Sequence, residues 1–227
     1  LPYAREALIG YQQRADPYYL SAVYLMLAKI AWQQQQPAET QQQLQHALAL
    51  ADKAEQAGEI PVGAVLIKDN QVIGEGWNMS ICQHDPSAHA EMLAIRQAAE
   101  QIKNYRLLDT TLYVTLEPCA HHGKTPPCAN AIVASGIARV VVAVADPDPR
   151  VSGRGLKILA DADIEVTIGI LQKEARRAMA GYLTRQTKGR PQVTLKLAVS
   201  ADGMLGRKGA GQVAITGREA RESVHRL

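Results

Sequence analysis

One histidine, one glutamate and two cysteines stand at a spacing suited to metal chemistry. His89 precedes Glu91 by two positions, Cys119 follows Pro118 thirty positions after the histidine, and Cys128 comes nine positions later. One imidazole and two thiolates make a three-ligand zinc site with an open fourth position. A carboxylate two positions from a histidine ligand is badly placed as a fourth ligand, but it can move protons during attack by water. The pattern predicts a zinc site with His89, Cys119 and Cys128 as ligands and Glu91 as the catalytic acid and base.

The sequence around these residues favours a catalytic site over a structural one. The Pro-Cys pair follows an apolar strand pattern at Thr111–Leu116, and Cys128 opens a helix pattern. Together with the His-x-Glu triplet, this set resembles the zinc-dependent nucleobase deaminases, and the resemblance implies zinc as the cofactor. The alternative is a closed structural site in which His121 or His122 is the fourth ligand. That alternative leaves Glu91 without a role.

Composition and charge are those of an ordinary globular chain. With 227 residues, 47% hydrophobic and 21% charged, the chain is long enough for one full domain with additions at its ends. The formal charge of +3 is too small to imply nucleic-acid binding unless basic side chains gather on one face. The basic residues near the end of the chain are better explained as a solvated helix surface than as an RNA contact: Lys173, Arg176, Arg177, Arg185, Lys188 and Arg190.

Cysteine usage and hydropathy point to a cytoplasmic protein. Cys82 is the third cysteine, and because Cys119 and Cys128 already have a metal role, a disulfide framework is not expected. The most apolar stretch, Tyr18–Trp32, contains a lysine and is too short to span a bilayer. We therefore expect no membrane contact.

Secondary-structure signals predict three segments. Residues 1–43 form a helical hairpin broken at Pro37, similar to a single tetratricopeptide-type repeat or to an extra helical layer on the next domain. Residues 44–186 begin with a β-hairpin between Pro61 and Trp77 and then alternate helices and strands. This alternation predicts a three-layer α/β/α sandwich, which the resemblance identifies as cytidine deaminase-like. Residues 187–227 are too few for a domain of their own.

Seven elements are expected after the β-hairpin. Helices are predicted at Ala88–Gln101, Cys128–Ser135, Gly155–Ala162 and Leu171–Thr184, and strands at Thr111–Leu116, Val140–Val144 and Ile164–Ile168. In the last segment we expect a strand at Val193–Val199, a turn at Ala201–Gly203 and a helix from Thr216.

From about Leu44 to Cys119 the chain resembles the bacterial tRNA-specific adenosine deaminases. The resemblance is carried by four motifs: Ile60–Val65, Gly74–Asn78, His84–Glu91 and Asn104–Cys119. It implies that Asn78 contacts the target nucleoside, that His89 binds zinc and that Glu91 carries protons.

After Cys119 the chain resembles the bifunctional riboflavin-biosynthesis deaminase/reductase. The motifs are Ala120–Cys128, Asp146–Gly155 and the stretch from Arg190 onwards. The eight residues between the two cysteine ligands are typical of this family, whereas the tRNA enzymes have two. The resemblance implies that the phosphate of a ribosylaminopyrimidine nucleotide is held by Lys124, with further candidates in Arg150 and Arg154. An exposed loop lysine without a ligand is the plain alternative for Lys124.

We interpret the chain as a composite of the two patterns, joined near residues 46–51 and 116–120. The expected function is zinc-dependent hydrolytic deamination of the aminopyrimidine ribosylamino phosphate of riboflavin biosynthesis, by a homodimer. The alternatives are a tRNA adenosine-to-inosine deaminase and, as a non-enzyme, an inert zinc domain with a helical-repeat binding module. Lys196–Gly203 resembles the opening of the family's NADPH-dependent reductase domain. Most of that domain is missing, so no reductase activity and no NADPH binding are expected.

Overall fold

The structure is a computed structural model that describes residues 38–209, 211 and 213–224. The chain divides into two units, Leu1–Arg190 and Pro191–Leu227. The first helix of the predicted N-terminal hairpin lies outside the described residues.

The first unit is built on a five-stranded sheet with the order β2-β1-β3-β4-β5. β1 runs antiparallel to β2 and β3, whereas β3, β4 and β5 are parallel to one another. β3 and β4 are buried along almost their whole length, as parallel strands covered on both faces should be. The strands are β1 (Gly63–Lys68), β2 (Gln71–Trp77), β3 (Thr111–Leu116), β4 (Arg139–Val144) and β5 (Glu165–Ile168).

Helices cover both faces of this sheet. Helices α2 and α3 pack against each other on one face and α4 continues that layer, whereas α1 and α5 contact each other on the opposite face. This arrangement confirms the three-layer α/β/α sandwich. The helices are α1 (Ala38–Gln56), α2 (Ala90–Ile102), α3 (Cys128–Ser135), α4 (Arg154–Asp161), α5 (Gln172–Ala178) and α6 (Ala180–Lys188).

Two glycines of the β-hairpin let the helices lie directly on the strands. A Cβ atom at Gly63 would lie 2.0 Å from the carbonyl oxygen of Ala47 in α1, and one at Gly76 would lie 2.1 Å from that of Ala90 in α2. Any side chain at these positions would push a helix away from the sheet. Gly76 thereby fixes the start of α2, where His89 and Glu91 stand.

The sequence-based boundaries agree closely with the structure, with one correction in this unit. The helix predicted from Ala38 is confirmed as α1, whereas the hairpin itself stays a prediction. The prediction of a single helix at Leu171–Thr184 is wrong. Met179, with φ of −104° and ψ of 27°, interrupts the helix and divides it into α5 and α6. The domain boundaries after residues 43 and 186 stay predictions. Helix α1 runs through position 43 without interruption.

In the described part of the second unit, the turn at Ala201–Gly203 is confirmed and one helix, α7 (Arg218–Val224), forms. The strand predicted at Val193–Val199 is wrong. This segment is irregular, with exposed apolar side chains, because an apolar alternation makes a strand only where a partner strand accepts its hydrogen bonds. Within the described residues of both units, no helix combines the length and the apolar character that a membrane crossing requires.

Candidate active site

The three predicted ligands come from three elements that meet at one edge of the sheet. His89 is the residue before α2, Cys119 lies just past the end of β3, and Cys128 is the first residue of α3. His89 Nδ1 lies 3.3 Å from Cys128 Sγ and 4.0 Å from Cys119 Sγ. A tetrahedral zinc ion, with Zn–N and Zn–S bonds of about 2.0 and 2.3 Å, separates its N and S ligands by about 3.5 Å. The donor atoms therefore stand at the separation that zinc requires.

The two thiols are electrostatically coupled. The backbone N–H of Cys128, at the start of α3, donates to Cys119 Sγ at 3.2 Å. The hydrogen bond from the Cys128 thiol lowers the pKa of Cys119, and the same contact, together with burial, raises the pKa of Cys128. A divalent cation bound to both sulfurs would favour their thiolate forms.

Glu91 lies in the first turn of α2 and is almost fully buried, with 4% of its surface exposed. Burial raises the pKa of Glu91 to about 7. The carboxyl group lines a cavity that it shares with His89 and Cys119. Glu91 is therefore placed to exchange protons with a molecule in that cavity.

Asn78 connects the β-hairpin to the start of α2. Its side-chain oxygen accepts a hydrogen bond from the backbone N–H of Ala90 at 3.0 Å, which satisfies one of the free donors of the helix start. Asn78 also lines the cavity that contains Glu91. With its oxygen engaged, the side chain presents its NH₂ group as a donor for a ligand.

Two cavities share the residues His89, Cys119 and His121. The Glu91 cavity, about 220 Å³, is also lined by Asn78, by the loop after β4 and by helix α6. The Lys124 cavity, about 450 Å³, lies between the loop that precedes α2 and the loop between the two cysteines. The structure thus places Lys124 beside the ligand group, in a different cavity from Glu91.

The two arginine candidates differ in position. Arg150 lines the Glu91 cavity, but its Nη2 lies 2.6 Å from Asp148 Oδ2, so that its charge is already paired. The hydrogen bond from Arg150 lowers the pKa of Asp148 to about 2. Arg154 opens α4 and is not among the residues that line either cavity. The phosphate role of both arginines stays a prediction.

Sequence reasoning missed Glu117, whose buried carboxylate holds the site together. Its two oxygens accept hydrogen bonds from the backbone N–H groups of Asp146, Gly153, Gly155 and Leu156. The carboxylate thereby ties the end of β3, which leads to Cys119, to the loop after β4 and to the start of α4. A charged residue directly between an apolar strand and a Pro-Cys ligand was the signal available in the sequence.

Comparison with known proteins identifies the family. Residues 37–144 match the cytidine and deoxycytidylate deaminase zinc-binding region. The tRNA-specific adenosine deaminase of Haemophilus influenzae is 46% identical over 148 residues, which cover 63% of this chain and 82% of that protein. This chain belongs to the cytidine and deoxycytidylate deaminase family. The family and the donor group agree on zinc as the metal of the site.

Two longer relatives extend the comparison. The riboflavin biosynthesis protein RibD of Haemophilus influenzae is 41% identical over 186 residues, 81% of this chain and 48% of that one. A solved diaminohydroxyphosphoribosylaminopyrimidine deaminase/5-amino-6-(5-phosphoribosylamino)uracil reductase from Thermotoga maritima has a TM-score of 0.72 and 38% identity, with 83% of this chain and 52% of that one covered. This chain spans about half the length of these two relatives. Because the RibD match covers so much of the chain, it overlaps the segment that resembles the tRNA deaminases.

The closed-site alternative is not supported by the geometry of this site. His121 and His122 do not belong to the group of donor atoms formed by His89, Cys119 and Cys128. His121 Nδ1 is instead buried and has no hydrogen-bond partner among the described residues. The assignment of the three ligands and of Glu91 remains a prediction, which the distances favour.

Proposed function

We propose that this chain catalyses the zinc-dependent hydrolytic deamination of the aminopyrimidine ribosylamino phosphate of riboflavin biosynthesis. The observation that carries the proposal is the position of the loop between the two cysteine ligands. This loop brings Lys124 into a cavity that shares His89 and Cys119 with the Glu91 cavity. A substrate that combines an aminopyrimidine with a phosphate fits such a pair of cavities.

Glu91 performs the proton transfers of the reaction. Bound zinc would supply a Lewis acid that makes water nucleophilic near neutral pH. Glu91 takes a proton from the attacking water, passes it to the ring nitrogen and delivers a second proton to the departing amine. One water is consumed and one ammonia leaves, as a ring C–O bond replaces a C–N bond. The buried position of Glu91 beside His89 keeps these protons away from bulk solvent.

The remaining side chains orient the substrate. The NH₂ group of Asn78 donates to an acceptor of the pyrimidine, because its oxygen is held by α2. Lys124 binds the phosphate as a cationic donor. Asp146 and Asp148 give the Glu91 cavity acidic side chains, which disfavour a phosphate there. The charges therefore direct the phosphate toward Lys124.

Ammonia release from the phosphorylated substrate and from its dephosphorylated form tests the proposal. For the substitution Lys124→Met we expect KM for the phosphorylated substrate to rise about tenfold, as a charge-assisted contact implies, and KM for the dephosphorylated form to stay unchanged. Lys157→Met is the matched control, because Lys157 forms an exposed pair with Asp161 on α4. No ammonia from the wild-type protein would refute the function, and equal KM values for wild type and Lys124→Met would refute the role of Lys124.

A tRNA adenosine deaminase is the second candidate, favoured by the 46% identity to such a protein and by Asn78. The basic side chains of α5 and α6, such as Arg176 and Lys188, are exposed but do not form a dense basic end for gripping RNA. An adenosine-bearing anticodon stem-loop in the same ammonia assay decides between the two. Release from the stem-loop alone would reverse the assignment.

Three further expectations belong to the proposal. Sedimentation velocity tests whether the protein is a homodimer, as we expect. A reductase assay, which follows the oxidation of NADPH in the presence of the deaminated product, should show no activity. Full zinc content without turnover on either substrate would favour the inert zinc domain with a helical binding module.

A further inference from the structure

Helix α6, which follows the last strand of the sheet, contributes to the wall of the Glu91 cavity. Tyr182 and Gln186 lie one helical turn apart on α6, and both line the cavity. Their neighbour Leu183 is buried in the hydrophobic core. The helix is thus anchored by an apolar side chain while two polar side chains face the cavity.

Tyr182 is bonded to a buried carboxylate of the same wall. Its hydroxyl lies 2.9 Å from both Oδ1 and Oδ2 of Asp146, a residue that is 6% exposed. Asp146 Oδ1 also accepts a hydrogen bond from the backbone N–H of Asp148 at 2.9 Å. Burial raises the pKa of Tyr182, so the hydroxyl keeps its proton and is the donor to the carboxylate. These two donors fix the plane of the Asp146 carboxylate at the cavity wall.

The orientation of the Asp146 carboxylate determines which group of a ligand can donate a hydrogen bond to it. The nearest cation of the same loop, Arg150, is paired with Asp148 through its Nε and Nη2 atoms. Asp146 therefore keeps lone pairs that can accept a hydrogen bond from a ligand, and its charge repels a phosphate. The uncharged donors of a ribosylaminopyrimidine nucleotide are its amino groups, one of which must lie at Glu91 for the reaction, and its sugar hydroxyls, which the free base lacks.

The geometry points to Tyr182 as a positioning residue that determines specificity, by holding Asp146 as the acceptor for a ribosyl hydroxyl of the substrate. The inference rests on the proposed function and adds a second recognition point to it. Lys124 selects the phosphate, and the Tyr182–Asp146 pair selects the sugar.

The substitution Tyr182→Phe separates the hydroxyl from the packing of the ring. The ring packs against the hydrophobic core and is retained in Phe, so only the bond to Asp146 is lost. Tyr105→Phe is the matched control, because Tyr105 is 72% exposed and lines neither cavity. Thermal unfolding of both variants shows whether either one alters the fold.

The test is a comparison of kinetics on the nucleotide and on the free aminopyrimidine base, with zinc-loaded full-length protein. For Tyr182→Phe we expect KM for the nucleotide to rise about tenfold, in line with the loss of a hydrogen bond to a charged group, while kcat and all values for the free base stay within about twofold. We expect the double variant with Asp146→Asn to be no worse than Asp146→Asn alone. Unchanged KM, an equal loss on the free base, or additive effects would overturn the inference.

A failure of the inference is distinguishable from a failure of the proposed function. Ammonia release by the wild-type protein reports on the function, and the ratio of KM for the nucleotide between Tyr182→Phe and the wild type reports on Tyr182. If the wild type releases no ammonia, the Kd values of the two proteins for the nucleotide are compared by calorimetry instead. A tenfold weaker Kd supports the role of Tyr182, whereas equal values or no binding by the wild type overturn it.

Discussion

Glu117 Oε1 accepts a hydrogen bond from the backbone N–H of Gly155 at 3.0 Å, across 38 positions of sequence. The two segments approach so closely that position 155 requires glycine, because a Cβ atom there would lie 2.1 Å from the carbonyl oxygen of Pro118. The residue before the Pro118-Cys119 pair is thus locked to the start of α4. The position of Cys119, a predicted metal ligand, and the wall of the Glu91 cavity depend on the same carboxylate.

Replacing this carboxylate should destabilise the domain. Glu117→Gln keeps the size but turns an NH₂ group toward backbone donors, so we expect a loss of about 2–4 kcal/mol in the free energy of unfolding. Urea unfolding measures this loss. Glu100→Gln, at an exposed position of α2, is the control and should change stability by less than about 0.5 kcal/mol. Equal stability of the two variants would contradict the role of Glu117.

Glu91→Gln should separate catalysis from metal binding. The variant retains the hydrogen-bonding shape of the side chain but cannot accept and return a proton, so we expect kcat to fall by about 10²–10⁴. Zinc content, measured by atomic spectroscopy, should stay that of the wild type. Glu100→Gln, on the same helix, is again the control and should keep full activity. Substantial turnover by Glu91→Gln would assign the proton transfer to another group.

Cys128→Ser should reduce zinc affinity, because a hydroxyl is a weak substitute for a thiolate on zinc. We expect its zinc content after dialysis against a competing chelator to fall below about one tenth of the wild-type value. Cys82→Ser is the control, since Cys82 is exposed and does not belong to the ligand group. Full zinc content in Cys128→Ser would transfer the ligand role to His121 or His122.

The Asp148–Arg150 pair should make stability depend on pH. Because the hydrogen bond from Arg150 lowers the pKa of Asp148 to about 2, below the value of about 3.9 in an unfolded chain, the pair stabilises the fold above the unfolded value. That contribution is lost as the pH falls toward 2. We expect the Tm difference between wild type and Asp148→Asn to be largest at neutral pH and to narrow between pH ~5 and ~2.

A control separates this effect from general acid denaturation. Asp161→Asn removes the acidic partner of an exposed pair on α4 and should leave Tm nearly unchanged at any pH. A wild-type advantage over Asp148→Asn that stays constant down to pH 2 would refute the prediction.

The sequence by itself predicted the family, the group of donor residues and most of the fold. The predicted strand Thr111–Leu116 and the predicted helix Cys128–Ser135 agree with the structure to the residue, because buried strands, helix starts and terminating glycines leave local patterns. The ligand group was predictable for a related reason. Zinc accepts few side-chain types, and His89, Cys119 and Cys128 each stand at the end of a recognisable element.

Only the tertiary structure decided how the cavity around these residues is built. It placed Lys124 and Arg150 in different cavities, interrupted the helix predicted at Leu171–Thr184 at Met179, and brought Tyr182 to Asp146 across 36 positions. These contacts leave no periodic trace in the sequence, because they depend on how far each loop bends and on which helix face turns inward. The local chemistry can be predicted from residue types and their spacing. The specificity of the site depends on distances between side chains from different elements, which only the packing of the fold determines.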